Sequence, residues 1–424
     1  FASDAGGFGD DEDENIIKCG SYTTDSSGVG GVVNVGFEPE WIFAKSTGDG
    51  PWMIIDVGRG WSTDGNCFLL NPNTTSTEST TTQFKLNSNG FQDNGAFAVN
   101  TTIIYMAIRR PMKTPESGTE VFQALSYSGT GANAANRVID NSGKGFYDSV
   151  YFDWRYGGST TQGNYLFTRL PRRSMHINAS LADAPWSGFN TDLDSSVGFN
   201  TTAATFNGSG QTRIAHGWRR RPKVHDVVHW VGNGSSVVVP HALEVTPEIL
   251  IFWSQESYAG SNVFSSHISN WTLSGNLSGN YAYSNQSGKI TSIGTSSFTA
   301  NSWAAANSIN YVGMLWSTLA GVSKCGSYSG SGGTQTIDCG FSNGPRFILI
   351  RRTDKGENEG IGTSNNWIWD SVRGINNKYL ALNTDLAEGT SYAINSTSAG
   401  FQVINESTNA INTGGGTYLF LAIA

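Results

Sequence analysis

The chain has 424 residues, enough for two to four domains, and 38% of them are hydrophobic, so it can bury cores. Charged residues make up only 14%, too few to cover the exposed faces of long helices, while 52 glycines and short runs of Thr, Val and aromatic residues are typical of sheets. The net charge of −8 argues against a nucleic-acid partner, and no apolar run approaches the ~20 residues of a membrane span.

The first fifteen residues form an acidic, Gly-rich segment. The run from Asp10 to Glu14 is typical of a solvated stretch, with a calcium site as the less favoured alternative. No signal peptide is visible and residue 1 is Phe. We therefore expect the sequence to begin inside a longer or processed chain, which leaves open an N-terminal anchoring segment outside it.

Two segments near the ends of the chain follow one pattern, in six blocks that occur in the same order. The matched blocks are Lys18–Tyr22 with Lys324–Tyr328, Gly36–Lys45 with Gly340–Arg351, Trp52–Gly60 with Trp367–Gly374, Phe68–Asn71 with Tyr379–Asn383, Gly90–Phe91 with Gly400–Phe401, and Ile104–Ile108 with Tyr418–Ile423. Six blocks in one order are hard to obtain by chance, so they indicate an internal repeat.

Two more divergent copies of this pattern lie in the middle of the chain. The aromatic residues that open the copies are Tyr22, Tyr127, Trp230 and Tyr328, at spacings of 105, 103 and 98 residues. The spacing predicts four modules after the N-terminal segment 1–15. They are module 1 (16–115), module 2 (116–222), module 3 (223–320) and module 4 (321–424).

Each module has the signals of a β-sandwich. A Gly-rich loop follows the opening strand, and a Pro precedes the next apolar run because Pro cannot donate to a strand ladder. The runs Trp41–Ala44, Ile249–Trp253 and Phe347–Ile350 are almost continuously apolar, which predicts central strands buried on both faces. The fold class is therefore all-β, with four tandem, mutually packed β-sandwich modules of jelly-roll-like form.

Two basic, Pro-containing stretches separate modules. They are 110–115 and 219–223, and we predict that they are short, stiff connectors.

The four cysteines are too few for a disulfide scaffold, and no C-x-x-C motif indicates zinc. Cys325 and Cys339 flank a Gly/Ser-rich turn symmetrically, which predicts opposite positions on a hairpin. A disulfide there is one alternative. The favoured one is a pair of half-buried thiols, since directly paired strand cysteines seldom reach disulfide geometry without strain.

The sequence contains no familiar catalytic or cofactor motif, and we predict neither catalytic residues nor a cofactor. His225 and His229 lie four apart in a strand-like run without the Glu of a metalloprotease motif, so we favour surface or interface histidines over a metal site. Asp56 with Arg59, and Asp370 with Arg373, recur at equivalent places. A structural ion pair at a turn is the better explanation than a pair of catalytic acids.

Aromatic side chains raise the possibility of glycan binding, because flat rings stack on sugars. Trp41, Trp253 and Phe347 belong to the buried runs and are predicted to be core residues. Aromatic residues that interrupt polar loops are better candidates for receptor or interface contacts. These candidates are Tyr156, Trp186, Tyr258 and Trp303.

Three phrases of the sequence, at 105–122, 216–228 and 415–424, resemble virion proteins of tailed bacteriophages, a family common in marine phages including cyanophages. The resemblance spans about residues 16–424. It implies a virion structural protein of fibre, tail or head-appendage type and transfers no catalytic residue. Module 2 departs from the pattern, because Tyr151–Arg155 stands where a Pro-led buried strand is expected.

Together these features predict a non-enzymatic virion protein of tail or fibre type that contributes to attachment at the host surface. A capsid decoration or head-fibre protein is the alternative, and a glycan-depolymerising tailspike is a more distant one. The expected partners are other virion proteins, further copies of the chain and a host-surface glycan.

Overall fold

The structure is a computed structural model, and it describes most of the chain. The described residues are 2–4, 6–7, 15–63, 67–110, 113–131, 136–139, 147–153, 165–170, 174–176, 191–195, 198–201, 207–255, 261–277, 281–356, 365–384, 388–390, 393–405 and 410–424. They form 35 strands, four short 3-10 helices and no α-helix, and every strand pair is antiparallel. The predicted all-β class is confirmed.

The chain forms two compact units. Unit 1 contains Phe1–Thr114 with two short additions, Arg169–Arg172 and Pro240–Ala242. Unit 2 contains the remainder, Pro115–Thr168, Arg173–Val239 and Leu243–Ala424. Unit 1 therefore corresponds closely to predicted module 1, whereas predicted modules 2 to 4, apart from those two short additions, lie within unit 2. The four-part division stays a prediction.

Module 1 has a larger sheet in the order β1-β9-β3-β4 and a three-stranded sheet in the order β2-β8-β7, with β5 and β6 as a separate pair. The bounds are β1 (Ile17–Thr23), β2 (Gly31–Asn34), β3 (Pro39–Ser46), β4 (Trp52–Asp56), β5 (Cys67–Leu69), β6 (Ser79–Thr81), β7 (Phe84–Asn87), β8 (Gly90–Asp93) and β9 (Thr102–Arg109), with a 3-10 helix at Val57–Arg59.

Module 2 has a larger sheet in the order β10-β17-β12-β13-β14 and a smaller one in the order β11-β16-β15. The bounds are β10 (Phe122–Ser128), β11 (Asn136–Ile139), β12 (Ser149–Asp153), β13 (Tyr165–Thr168), β14 (Ser174–His176), β15 (Thr191–Ser195), β16 (Gly198–Thr201) and β17 (Thr212–Trp218), with a 3-10 helix at Gly118–Glu120.

Module 3 has a six-stranded sheet in the order β18-β26-β20-β21-β22-β23 and a smaller one in the order β19-β25-β24. The bounds are β18 (His225–Val231), β19 (Ser236–Pro240), β20 (Ile249–Ser254), β21 (Asn262–Ser265), β22 (Leu273–Asn276), β23 (Ser284–Asn285), β24 (Ile290–Thr291), β25 (Ser297–Asn301) and β26 (Asn310–Trp316), with 3-10 helices at Ser269–Trp271 and Ser302–Ala305.

Module 4 has a six-stranded sheet in the order β27-β35-β29-β30-β31-β32 and a smaller one in the order β28-β34-β33. The bounds are β27 (Ser323–Ser329), β28 (Thr334–Asp338), β29 (Phe347–Arg352), β30 (Asn366–Asp370), β31 (Lys378–Ala381), β32 (Gly389–Thr390), β33 (Ile394–Thr397), β34 (Gly400–Ile404) and β35 (Thr417–Ile423).

One arrangement is common to these larger sheets: the last strand lies between the first and the third strand of its module. The inner face of each larger sheet packs on the smaller sheet. In module 4, for example, Ile348 and Ile350 of β29 share a buried cluster with Phe401 and Val403 of β34. This is β-sandwich packing, in which alternate side chains of both sheets fill the space between them.

The Gly-rich loop after the opening strand is not a hairpin, and this prediction was wrong. In module 4, β27 pairs with β35 and β28 pairs with β34, so the chain passes from one sheet to the other between Ser329 and Thr334. Cys325 and Cys339 therefore do not oppose each other, and both are free, buried thiols. Burial raises the pKa of both, that of Cys339 to about 12, so they stay protonated at neutral pH.

The departure of module 2 from the repeat pattern does not change its topology. Strand β12 lies between β17 and β13, as β20 and β29 lie in their own sheets, although no Pro leads it. Tertiary pairing thus supplies the strand that the local pattern leaves uncertain.

Candidate functional site

The outer face of each larger sheet, which points away from the smaller sheet, is the most informative surface of the protein. In unit 2 the outer faces of modules 2, 3 and 4 meet one another. We call this place the central junction, and it is built from equivalent positions of the three sheets.

The register defines these positions. The middle residue of the third strand pairs with a residue of the last strand in each module. The pairs are Tyr151 with His216 in module 2, Ile251 with Met314 in module 3, and Leu349 with Leu421 in module 4. All six side chains belong to buried or half-buried residues that line one small cavity. The three modules therefore surround a common point with corresponding residues.

The cavity at this point has a volume of about 60 Å³ and an almost wholly apolar lining. It has space for only a few water-sized molecules, and an apolar lining offers such waters no hydrogen bonds. The arrangement is therefore a slightly imperfect packing of three sheets, not a pocket for a substrate of ordinary size.

Aromatic rings join the three modules around the cavity. The Phe347 ring of module 4 lies 4.9 Å from Phe122 and 5.1 Å from Trp218 of module 2, measured between ring centroids. Trp218 in turn meets Trp316 of module 3 at 5.8 Å, edge to face. Large rings in these geometries stabilise an interface beyond the area they bury.

A buried polar group lies at the boundary between modules 2 and 4. His216 Nε2 is 3.2 Å from Asp370 Oδ2, and the two side chains are 2% and 0% exposed. The other carboxylate oxygen of Asp370 accepts hydrogen bonds from the backbone N–H groups of Val372 and Arg373, at 3.0 and 2.9 Å. Arg373 forms an ion pair with the Asp370 carboxylate and lies near Glu388.

The predicted ion pair between Asp370 and Arg373 is confirmed, as is that between Asp56 and Arg59 in module 1, where Glu78 also contacts the guanidinium. Burial lowers the pKa of Arg373 to about 10, against the opposing effect of Glu388. A carboxylate–imidazole pair can serve proton transfer, but this one is closed off from solvent in the described arrangement. Its geometry suits the joining of two modules.

The connector 219–223 is also part of the junction. Arg219 and Arg220 are almost fully buried, and the Arg220 guanidinium forms an ion pair with Asp226 of module 3. The backbone N–H of Arg220 donates to Asp148 at 2.7 Å. The predicted stiff connector is thus held by buried charges on both sides.

Modules 3 and 4 are joined by an arginine that donates to backbone oxygens. Arg351 donates to the carbonyls of Asn276 and Tyr281 at 3.0 and 2.6 Å, and its guanidinium lies 5.4 Å from the centre of the Tyr283 ring. The Asn366 side chain adds a bond to the Leu277 carbonyl at 2.7 Å.

Of the three predicted core aromatics, Trp253 and Phe347 are buried, as predicted, and their strands β20 and β29 are buried along almost their whole length. Phe347 lies within the central junction, against Phe122 and Trp218 of module 2. Trp41, at the position of Phe347 in module 1, is only half-buried. A continuous apolar run cannot distinguish burial within a module from burial between modules.

Three of the four predicted contact residues, Tyr156, Trp186 and Tyr258, lie outside the described residues. Trp303 is described: it is half-buried, its ring stacks on core Phe252 with 5.6 Å between centroids, and its Nε1 donates to Gln286 Oε1 at 3.3 Å. Receptor contact by these residues stays a prediction.

The two strand histidines have different surroundings. His225 is buried, stacks on Trp316 at 4.8 Å and places Nδ1 2.9 Å from the Leu315 carbonyl, which fits the predicted interface histidine. His229 Nε2 lies 3.2 Å from Asn310 Oδ1. Within the described part of the chain, no three His, Cys, Asp or Glu side chains form a group that could hold a metal. The acidic run 10–14 lies outside that part.

The sequence predicted that the apolar runs of modules 3 and 4 are buried on both faces, and the structure confirms this for β20 and β29. Sequence reasoning did not identify which residues of the outer faces meet one another.

The fold and the site together define an all-β protein built of several β-sandwich modules. Three of these modules pack against one another at the central junction. The chain belongs to the family described as a domain of unknown function (DUF7483), whose model matches residues 12–110 and 117–424. No curated protein matches the chain. None of the helices among the described residues is long and apolar enough to cross a membrane.

Proposed function

We propose that the protein is a non-enzymatic structural protein of a bacteriophage virion, of tail or fibre type. The observation that carries the proposal is the central junction, where corresponding strand positions of three modules pack together and fix the modules to one another. Side chains suited to chemistry, such as His216, Asp370 and Arg373, are buried there as links between modules.

The sequence phrases at 105–122, 216–228 and 415–424 provide the second line of support, through their resemblance to tailed-phage virion proteins. Antiparallel sheets also suit a particle component, because they combine many backbone hydrogen bonds with short connecting loops. On this proposal the protein acts in the virion, together with other virion proteins and with further copies of itself.

Attachment to a host-surface glycan is the finer part of the proposal. It depends on aromatic residues that stand in polar stretches of the sequence, and Tyr156, Trp186 and Tyr258 are the candidates to replace. A glycan array probed with the full chain and with the triple alanine variant tests this part. Binding that the variant loses supports attachment, and an absence of binding to any host glycan contradicts it.

Immunogold electron microscopy of purified particles tests the main proposal. Label on the tail or its fibres is the expected result. Label on the capsid would instead identify a decoration or head-fibre protein, and particles without label would overturn the virion assignment.

A separate assay tests the tailspike alternative. The full chain is incubated with purified host polysaccharide, and new reducing ends are measured. We expect none above the level of a heat-inactivated sample. Hydrolysis that scales with protein concentration would contradict the non-enzymatic proposal.

A further inference from the structure

The outer face of the larger module 1 sheet has apolar residues at the same register positions as the three faces of the central junction. The register of β3, β4 and β9 places Phe43 opposite Met106, as Leu349 lies opposite Leu421 in module 4 and Ile251 opposite Met314 in module 3. Phe43 and Met106 therefore hold the positions that line the cavity in unit 2.

The difference lies in what covers the face. Ile104 is 47% exposed, whereas the residues at its position in modules 2, 3 and 4 are Ile214, Val312 and Leu419, which are 0%, 0% and 5% exposed. Trp52 and Phe68 on the same side of the module 1 sheets are 39% and 41% exposed. Trp41, Phe43 and Met106 are half-buried.

These side chains form one apolar surface. The rings of Trp41 and Phe43 stack with 6.2 Å between centroids, and Trp52 meets Phe43 edge to face at 5.6 Å. Ile104, Met106 and Ile108 follow along β9 beside them. We call this surface the module 1 face. Contiguous apolar surfaces of this kind usually mark an interface.

We propose that the module 1 face is a homotrimer interface, in which module 1 faces from three chains meet as modules 2, 3 and 4 meet within one chain. The proposal does not depend on the virion assignment. Its basis is the packing within one chain, where a sheet face with the same arrangement of residues packs against two other such faces.

The expected number of three chains follows from the contacts in unit 2, which form a closed ring of three modules. In unit 2 each module contacts both others, through Phe122 and Phe347, through Trp218 and Trp316, and through Arg351 and Asn276. Contacts that close on themselves after three related copies would form a ring of three when the copies belong to separate chains. Lys45 occupies the position of Arg351 on this face, and within one chain its Nζ donates to the Ser46 carbonyl at 2.7 Å.

Mass measurement by light scattering after size-exclusion chromatography tests the proposal on the full chain. The expected mass is three times the 45.4 kDa of one chain. A monomer or a dimer at micromolar concentration would overturn the proposal.

Four variants locate the interface. Ile104→Asp and Met106→Asp place charges on the module 1 face and should reduce the mass threefold, to that of a single chain. Met106→Leu introduces the residue that module 4 has at this position, Leu421, and should stay trimeric. Val32→Asp alters a 68% exposed residue on the smaller sheet and should also stay trimeric. If both aspartate variants on the module 1 face stay trimeric, this face is not the interface. The same conclusion follows if Val32→Asp also dissociates the trimer.

Thiol labelling of the unaltered chain gives a second readout that needs no variant. Cys19 lies opposite Met106 on the module 1 face and is half-buried, while Cys67, Cys325 and Cys339 are buried. Cys325, at the same position in module 4, is 0% exposed in the junction. We expect Cys19 to be protected in the trimer and to react several times faster on dilution to the single chain. Equal labelling rates at all concentrations would contradict the proposal.

Discussion

His216 of module 2 and Asp370 of module 4 face each other across a buried boundary, with 3.2 Å between Nε2 and Oδ2, although 154 residues separate them in sequence. The contact joins the last strand of one module to the fourth strand of another. Since Asp370 also binds Arg373, a single carboxylate fixes a turn of its own module and anchors the neighbouring one.

Asp370→Asn should destabilise unit 2 by about 3–5 kcal/mol, because it leaves the Arg373 guanidinium buried with weaker compensation. The matched control is Asp56→Asn in module 1, where Arg59 is 33% exposed, and about 0–1 kcal/mol is expected there. Urea unfolding followed by tryptophan fluorescence measures both. Equal effects at the two positions would contradict the role assigned to Asp370.

His225 should make the stability of unit 2 depend on pH. Burial lowers its pKa to about 4 in the folded protein, below the ~6.5 of an exposed histidine, while Asp226 and Asp148 oppose the shift and Arg220 adds to it. The unfolded chain therefore binds a proton that the folded chain does not, and stability falls as the pH drops from about 6.5 to about 4.

The size of this effect is about 3 kcal/mol, from ~1.4 kcal/mol per pKa unit. His225→Gln keeps a hydrogen-bond donor for the Leu315 carbonyl and should flatten the dependence in that range. His229→Gln, at a partly exposed position of the same strand, should leave it unchanged. The urea midpoint of unfolding at several pH values measures this pH dependence of stability. The same dependence in His225→Gln as in the unaltered chain would refute the role assigned to His225.

Arg351→Ala should open the contact between modules 3 and 4, because it removes two charged hydrogen bonds to backbone carbonyls. About 1.5–3 kcal/mol is expected per bond. Arg351→Lys should recover part of this loss, since an ammonium group lacks the planar fork that reaches both carbonyls. Arg352→Lys is the control, because Arg352 pairs with Asp354 in its own module. Equal loss in both lysine variants would contradict the prediction.

Gly326→Ala should destabilise module 4 by about 1–3 kcal/mol through overpacking. A Cβ atom at Gly326 would lie 2.6 Å from the ring of Phe420, which is buried and faces it across the sheet. Gly333→Ala, in a nearby loop with open space around it, should change stability by less than about 1 kcal/mol. Thermal unfolding of both variants measures the difference, and similar melting temperatures would contradict it.

The surroundings of Gly326 also explain why a glycine recurs in the first matched block of the sequence. The repeated Lys-Cys-Gly-Ser-Tyr blocks place Gly20 opposite Tyr105 and Gly326 opposite Phe420, where a large ring covers the bare backbone. The glycine is required by the ring on the next strand, which lies almost a hundred residues away in sequence.

The strands that contain apolar runs and the ion pairs of Asp56 and Asp370 follow from local pattern. What the pattern could not provide was the partner of each strand. The hairpin predicted around Cys325 and Cys339 failed because a Gly-rich loop permits a reversal without requiring one. The place of the central junction was missed because an apolar residue such as Phe347 looks the same in sequence whether a smaller sheet or another module covers it.

The central claim is that outer sheet faces are packing surfaces, used within the chain by modules 2 to 4 and between chains by module 1. A single-particle cryo-EM reconstruction of the purified full chain tests it most directly. The account predicts three chains with Phe43 and Met106 around a three-fold axis, and His216 against Asp370 inside each chain. Particles of one chain with the module 1 face in solvent, or a central junction that is open, would contradict it.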